Sequence, residues 1–244
     1  MPLLAAQGLT KLFGRLVALD HVDLAIEAGE VVGLIGPNGA GKSTLVNLLS
    51  GFESPSEGAV AFAGRALDAL GAPAIARLGL ARTFQIAQAF PAMTVRQNVA
   101  VPALFRGAPA PSVRAALREA DHLLESVGLG PKAALPAGAL TTPDLRRLEL
   151  AKALALQPRL MLLDEVMAGL TPAEVDAAMA LLREVNARGI ALLVIEHVLR
   201  AVMGLSSRVV VLHHGRKIAE GPPDRVTADP AVIEAYLGPG PASR

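Results

Sequence analysis

The chain has 244 residues, a formal net charge of +1 and no cysteine, which excludes disulfides, zinc–thiolate centres and cysteine nucleophiles. So small a net charge supplies no overall field for nucleic acid or acidic partners, and its length suits one large α/β domain with an appended subdomain rather than two equal domains. No apolar run reaches the ~18 residues of a membrane span, and Met1-Pro2-Leu3-Leu4-Ala5-Ala6 lacks the features of a signal peptide. The hydrophobic share of 52% is nevertheless high and leaves room for a permanent protein partner.

In chain order, the first segment, Leu3 to Ile26, alternates short apolar stretches with turns at Gly14 and Gly29 and predicts antiparallel strands. Val31-Val32-Gly33-Leu34-Ile35 then predicts a short buried strand and Lys42 to Leu49 a helix. Between them Gly36-Pro37-Asn38-Gly39-Ala40-Gly41-Lys42-Ser43-Thr44 fits the pattern G-x-x-x-x-G-K-[ST] in its required strand–loop–helix context, which implies a nucleoside triphosphate site. The glycines let successive backbone N–H groups face phosphate, Lys42 brings a charge to the β- and γ-phosphates, and Ser43 offers a hydroxyl to Mg²⁺. The helix places its positive end at the anion.

Gly58 to Gly64 predicts another strand, and Leu80-Ala81-Arg82-Thr83-Phe84 a strand-like segment ending in Gln85, whose amide oxygen would reach the metal. From Phe90 to Leu140 the character becomes helical: Ser112 caps a helix bearing Val113, Ala116, Leu117, Ala120, Leu123, Leu124 and Val127, ended by Gly128, with prolines breaking its flanks. Strand patterns return at Leu160-Met161-Leu162-Leu163, Ile190 to Ile195 and Val209 to Leu212, with a helix opened by Thr171-Pro172 and closed by Gly189. Continuous apolar strands joined by helices predict a parallel sheet covered on both faces, with ligands at the carboxyl ends of its strands. There stand Asp164, the candidate to hold Mg²⁺, Glu165, the candidate to orient or deprotonate the attacking water, and His197, which would donate toward a phosphate oxygen or that water. The proline-rich tail from Gly221 predicts a mobile end.

These motifs, in this order and spacing, resemble the ATP-binding cassette ATPases over almost the whole chain. The resemblance is strongest to the branched-chain amino acid importer subgroup, through Ala81-Arg82-Thr83-Phe84-Gln85, Phe90-Pro91-Ala92-Met93-Thr94-Val95, Ala168-Gly169-Leu170-Thr171-Pro172 and the run from Val211 to Gly221. It implies a P-loop NTPase fold, a single domain over residues 1–244. Residues 1–88 and 150–220 would form a nucleotide-binding core with a mostly parallel sheet and an antiparallel β part, 89–149 a helical subdomain and 221–244 a tail. It further implies ATP and Mg²⁺ as ligands and Phe13 stacked on adenine. Lys42, Gln85, Glu165 and His197 would be catalytic, and Ser43, Gln85 and Asp164 would hold the metal. Two cassettes would sandwich ATP, the phosphate loop of one against the signature of the other, where Thr141 would act in trans. The segment after Gln85, about 86–104, would dock on membrane permease subunits, with Phe90 and Met93 as interface residues. A periplasmic binding protein would deliver the cargo, and the chain would lie peripherally on the cytoplasmic face of the bacterial inner membrane. Two alternatives are a cassette that extracts lipid or lipopolysaccharide and a soluble cassette acting on nucleic acid or ribosomes; the latter would show a second cassette, a coiled coil or basic extensions, none of which is evident.

The match breaks where the family carries Leu-Ser-Gly-Gly-Gln, because this chain has Leu140-Thr141-Thr142-Pro143-Asp144. Pro143 removes a backbone N–H that the family directs at the γ-phosphate, a loss of roughly 1.5–3 kcal/mol, and Asp144 would repel that phosphate. As local structure Thr142-Pro143-Asp144 is a good helix start, with Thr142 as the cap, a proline in the first turn and an acid near the positive helix end. Val166 and Thr171 also depart from the usual proline and aspartate. The expectation is asymmetry: an intact site on this chain closed by a partner cassette with a regular signature, and a weaker site on the partner.

Overall fold

The computed structural model describes residues 1–84, 88–107 and 109–237. The chain opens with β1 (Leu4–Phe13) and β2 (Leu16–Ile26), an antiparallel pair, followed by β3 (Val31–Ile35), a loop and α1 (Lys42–Leu49). Next come β4 (Glu57–Phe62), β5 (Arg65–Ala66), α2 (Ala72–Arg77) and β6 (Leu80–Arg82). Three longer helices follow, α3 (Val95–Phe105), α4 (Val113–Ser126) and α5 (Thr142–Leu154), then β7 (Leu160–Asp164), α6 (Pro172–Ala187), β8 (Ala191–Ile195) and α7 (Leu199–Leu205). The chain closes with β9 (Arg208–His213), β10 (Arg216–Gly221), α8 (Pro223–Thr227) and α9 (Pro230–Leu237).

The described strands form an antiparallel sheet of order β2-β1-β4-β5 and a six-stranded sheet of order β10-β9-β3-β8-β7-β6, in which only the edge pair β9–β10 is antiparallel. This is the α/β architecture expected, with its mostly parallel core. Every residue of β3, β7 and β8 is buried, because the sheet is covered on both faces and successive side chains alternate between them. Met161, Leu163, Leu192 and Val194 face the helical side with α3 to α6, while Leu160, Leu162, Leu193 and Ile195 face α1 and the antiparallel sheet.

Helix boundaries follow the capping signals. Ser112 and Thr171 accept N–H groups at the starts of α4 and α6, and Gly128 and Gly189 lie just past their ends at positive φ. Two expectations needed correction. Pro102 lies inside α3 rather than breaking a flank: the missing N–H falls near the helix end, and a capping box from Thr94 and Gln97 together with buried Val95, Val99 and Ala103 holds the helix. The tail is ordered through 237, where α8 and α9 bury Val226 and Val232 against Val202, Val209 and Val211. Its prolines open these helices, the first turn being where a missing N–H costs nothing. Among the described residues no helix is long and apolar enough to cross a membrane.

Candidate active site

The loop between β3 and α1 owes its shape to glycines that no other residue could replace. A Cβ on Gly36 (φ 152°) would stand 2.1 Å from the Leu212 carbonyl oxygen, and one on Gly41 (φ 102°) 2.7 Å from that of Ala18. Gly41 is the N-cap of α1 and supplies no capping side chain, whereas α3, α4, α5 and α6 are each capped by a Ser or Thr hydroxyl. The first N–H groups of α1 are thus left for an anion. Lys42 is buried and donates to the carbonyl oxygens of Gly36 at 2.7 Å and Pro37 at 3.0 Å. Burial lowers its pKa, and the nearby charges of Glu165 and Asp164 offset part of that effect.

A cleft of about 330 Å³ joins this loop to the ends of β7 and β8, lined by Phe13, residues 38–44, Asp164, Glu165 and His197 among others. Of the expected site residues, then, Phe13, the loop, Asp164, Glu165 and His197 converge; Gln85 lies outside the described residues. Phe13 ends β1 half exposed in the lining of the cleft, with the Lys11 ammonium 5.0 Å from its ring centre, the one phenyl ring that the described residues of the lining offer to a planar base. Glu165 sits past the end of β7 at φ 52°, and its Oε1 lies 2.7 Å from His197 Nε2. A histidine protonated at Nε2 donates to that carboxylate, and either group can turn to a water or phosphate oxygen between them.

Asp164 is buried, and its Oδ2 accepts from Arg82 Nη2 at 3.2 Å. Sequence reasoning assigned Arg82 no role, yet it also donates to Asn47 Oδ1 at 2.6 Å and packs its guanidinium over Phe52 and Phe84 at 5.5 and 5.2 Å. Arg82 pairs with Leu162, two residues before Asp164, in the parallel β6–β7 ladder, a neighbourhood that only the assembled sheet creates. For a divalent cation the cleft offers the exposed Ser43 hydroxyl and the Asp164 carboxylate, while no cluster of three His, Cys, Asp or Glu exists among the described residues. Two hard oxygens beside a phosphate cradle fit Mg²⁺, which keeps its waters and takes few protein ligands.

Thr141 is not part of this cleft. It caps α5, its hydroxyl donating to Asp144 Oδ2 at 2.8 Å and accepting the Asp144 N–H at 3.4 Å. Burial opposes the Asp144 charge, but Lys132 and Thr141 bond to the carboxylate and hold its pKa below the usual range. The acid expected to repel phosphate is therefore balanced by Lys132, and the Thr141 hydroxyl is already engaged. A second cavity, about 360 Å³, lies between α5 and α6; although slightly larger, its lining includes none of the phosphate-loop, Asp164, Glu165 or His197 side chains.

Glu196 was also missed. It is 3% exposed; Oε1 accepts the Met167 N–H at 2.7 Å, and Oε2 has no hydrogen-bond partner of normal geometry. Burial raises its pKa from 4.5 to about 7 against the opposing effect of the Met167 and His197 N–H groups, with Glu165 adding to the rise. Between those two values the folded chain holds a proton that the unfolded chain releases, so stability is fully present below pH 4.5 and falls as pH rises to about 7. The loss is on the order of 3 kcal/mol. Glu196→Gln cannot ionise, so it is expected to raise the thermal midpoint at pH 8.5 by at least ~5 °C and to change it little at pH 4.5. Calorimetry at the two pH values checks this, and equal midpoints at pH 8.5 refute it.

Comparison with known proteins agrees with the geometry. The ABC transporter family profile matches residues 19–168, and that of the branched-chain amino acid ATP-binding cassette transporter matches residues 216–238. The chain is 39% identical to BraF, a high-affinity branched-chain amino acid transport ATP-binding protein of Pseudomonas aeruginosa, over 97% of this chain and 98% of BraF. It is 36% identical to LptB, a lipopolysaccharide export system ATP-binding protein of Acidithiobacillus ferridurans, over 97% of each chain. Among solved structures, a nucleotide-free ATP-binding cassette from an ABC transporter superposes with a TM-score of 0.88 at 30% identity, covering 98% of this chain and 100% of that one. A dimeric post-hydrolysis state of the cassette MJ0796 bound to ADP and Pi gives 0.82 at 26% identity, covering 90% and 98%.

Proposed function

We propose, from the premise that this chain belongs to the ABC transporter ATPase family, that it is the ATP-hydrolysing subunit of an importer for branched-chain or related small amino acids. The observation that carries the reading is the convergence of the phosphate loop, Asp164, Glu165 and His197 on one cleft. In it Phe13 stacks on the adenine, the loop N–H groups and Lys42 hold the phosphates, and Ser43 and Asp164 would hold Mg²⁺, with Gln85 as the further metal residue that the family resemblance implies. Once bound, that ion neutralises phosphate charge. Glu165 orients the attacking water and takes its proton, while His197, now 2.7 Å from Glu165, turns its Nε2–H toward the γ-phosphate oxygen.

The amino-acid cargo rests on the likeness to BraF and on the branched-chain profile over 216–238, which also favours import over the lipopolysaccharide export of LptB. In this reading permease subunits in the inner membrane seat the chain on its cytoplasmic face, and a periplasmic binding protein feeds them. The docking segment presents an exposed Phe90 and a half-buried Met93, its backbone pinned by Asn98, which accepts the Phe90 N–H at 2.8 Å and donates to the Phe90 carbonyl oxygen at 3.1 Å. Co-purification with co-expressed membrane permease subunits, and amino-acid uptake by vesicles holding the complex, test the assignment; uptake of none, or lipopolysaccharide extraction, overturns it.

We further infer a heterodimer, because Pro143 offers no N–H and Thr141 is committed to its cap. Phosphate release by the lone chain is expected to be low and non-cooperative, and to rise at least about tenfold when a partner cassette with a regular signature is added, the ratio that one restored charge-assisted hydrogen bond supplies. Full cooperative turnover by the lone chain would sink the asymmetry.

A further inference from the structure

Glu196 is a buried ionisable group beside the cleft to which the proposed mechanism gives no task. Its surroundings show one. The backbone ladder between β7 and β8 ends where Asp164 pairs with Ile195 and the Glu165 N–H donates to the Ile195 carbonyl oxygen at 2.9 Å. Beyond that point the chain leaves the sheet in a tight turn, begun by Glu165 at positive φ and closed by the Ala168 N–H on the Glu165 carbonyl oxygen at 3.3 Å. The next N–H that could be tied to β8 is that of Met167, and the bond it makes is to a side chain, Glu196 Oε1 at 2.7 Å.

Alternation along β8 explains why this position can do so. Ile195 faces the side of α1, so Glu196 turns to the opposite side, where the fully buried Met167 lies, and His197 returns to the cleft. Glu165 is thereby held from two directions: its own N–H by Ile195, and the turn after it by Glu196, whose neighbour His197 meets the Glu165 carboxylate. We propose that Glu196 is a positioning residue for ATP hydrolysis, its carboxyl clamping the turn after Glu165 to the end of β8 so that Glu165 and His197 keep their relative placement. The inference rests on the catalytic reading of Glu165 and His197.

The test is steady-state phosphate release by the full-length chain in its dimer, with Glu196→Leu, Glu196→Gln and Glu165→Gln compared. Leucine fills the space but accepts no bond; the glutamine amide oxygen still accepts the Met167 N–H. Glu196→Leu is expected to lower kcat about ten- to a hundredfold, the loss that a misplacement of about 1 Å produces, with KM for ATP within about twofold. Glu196→Gln is expected to keep kcat within about twofold of the parent. Should Glu196→Leu fail to fold, Glu196→Met takes its place. Parental kcat in the apolar variant, or an equal loss in both variants, overturns the clamp. Undiminished turnover by Glu165→Gln would instead overturn the catalytic reading on which it stands.

Discussion

Glu165→Gln is expected to lower ATP turnover by roughly 10²–10⁴-fold, the range that a positioned general base contributes, while leaving ATP affinity within about twofold. The carboxylate lies just past the end of β7 in the cleft, next to but separate from the phosphate cradle, so binding contacts survive its loss. Glutamine has nearly the same shape and its amide oxygen can still accept the His197 Nε2–H that lies 2.7 Å from Glu165 Oε1, so the strand ends stay in place and only proton affinity is removed. If ATP joins two cassettes and hydrolysis parts them, the variant with ATP will also accumulate as a dimer on size-exclusion chromatography. Phosphate release above a tenth of the parental rate would exclude Glu165 as the base.

Much of this site was legible because its chemistry demands rare local patterns. The phosphate loop needs glycines where a Cβ meets carbonyl oxygen, and the apolar runs of β7 and β8 reveal their own carboxyl ends, which place Asp164, Glu165 and His197. What stayed hidden depends on long-range packing. Arg82 reaches Asp164 across 82 positions of sequence, and the partner of Glu196 is a backbone N–H in a turn that no composition marks. The adjacent pair Glu196-His197 could have been split by strand alternation, one side chain to the cleft and one to the interior. The tail misled for the converse reason: prolines signal the end of one helix or the first turn of another, and only the burial of Val226 and Val232 decides between them. At the start of α5 the residues marked a helix start but offered Thr142 as its cap, whereas the cap is Thr141 one position earlier, and they did not reveal that Lys132, twelve positions before Asp144, neutralises it.

Lys42→Met is expected to weaken ATP binding by about 10²–10⁴-fold without unfolding the chain. The ammonium stands 2.7 Å from the Gly36 carbonyl oxygen and 3.0 Å from that of Pro37, folded under its own loop where it will meet the β- and γ-phosphates. Two charge-assisted hydrogen bonds to phosphate, at roughly 1.5–3 kcal/mol each, account for that loss. Stability moves the other way. Burial disfavours the charged amine, as its lowered pKa shows, so a thioether of similar length relieves that penalty even though Gly36 and Pro37 lose a donor. The thermal midpoint without nucleotide should therefore be unchanged or slightly raised, and the large midpoint rise that ATP gives the parent should vanish. Lys42→Arg separates charge from shape: it keeps the cation, but a planar fork replaces the compact ammonium that donates to the Gly36 and Pro37 carbonyl oxygens, so it too should bind ATP weakly. Near-parental affinity in Lys42→Met, measured by calorimetric titration, would mean that the N–H groups of α1 alone hold the phosphates.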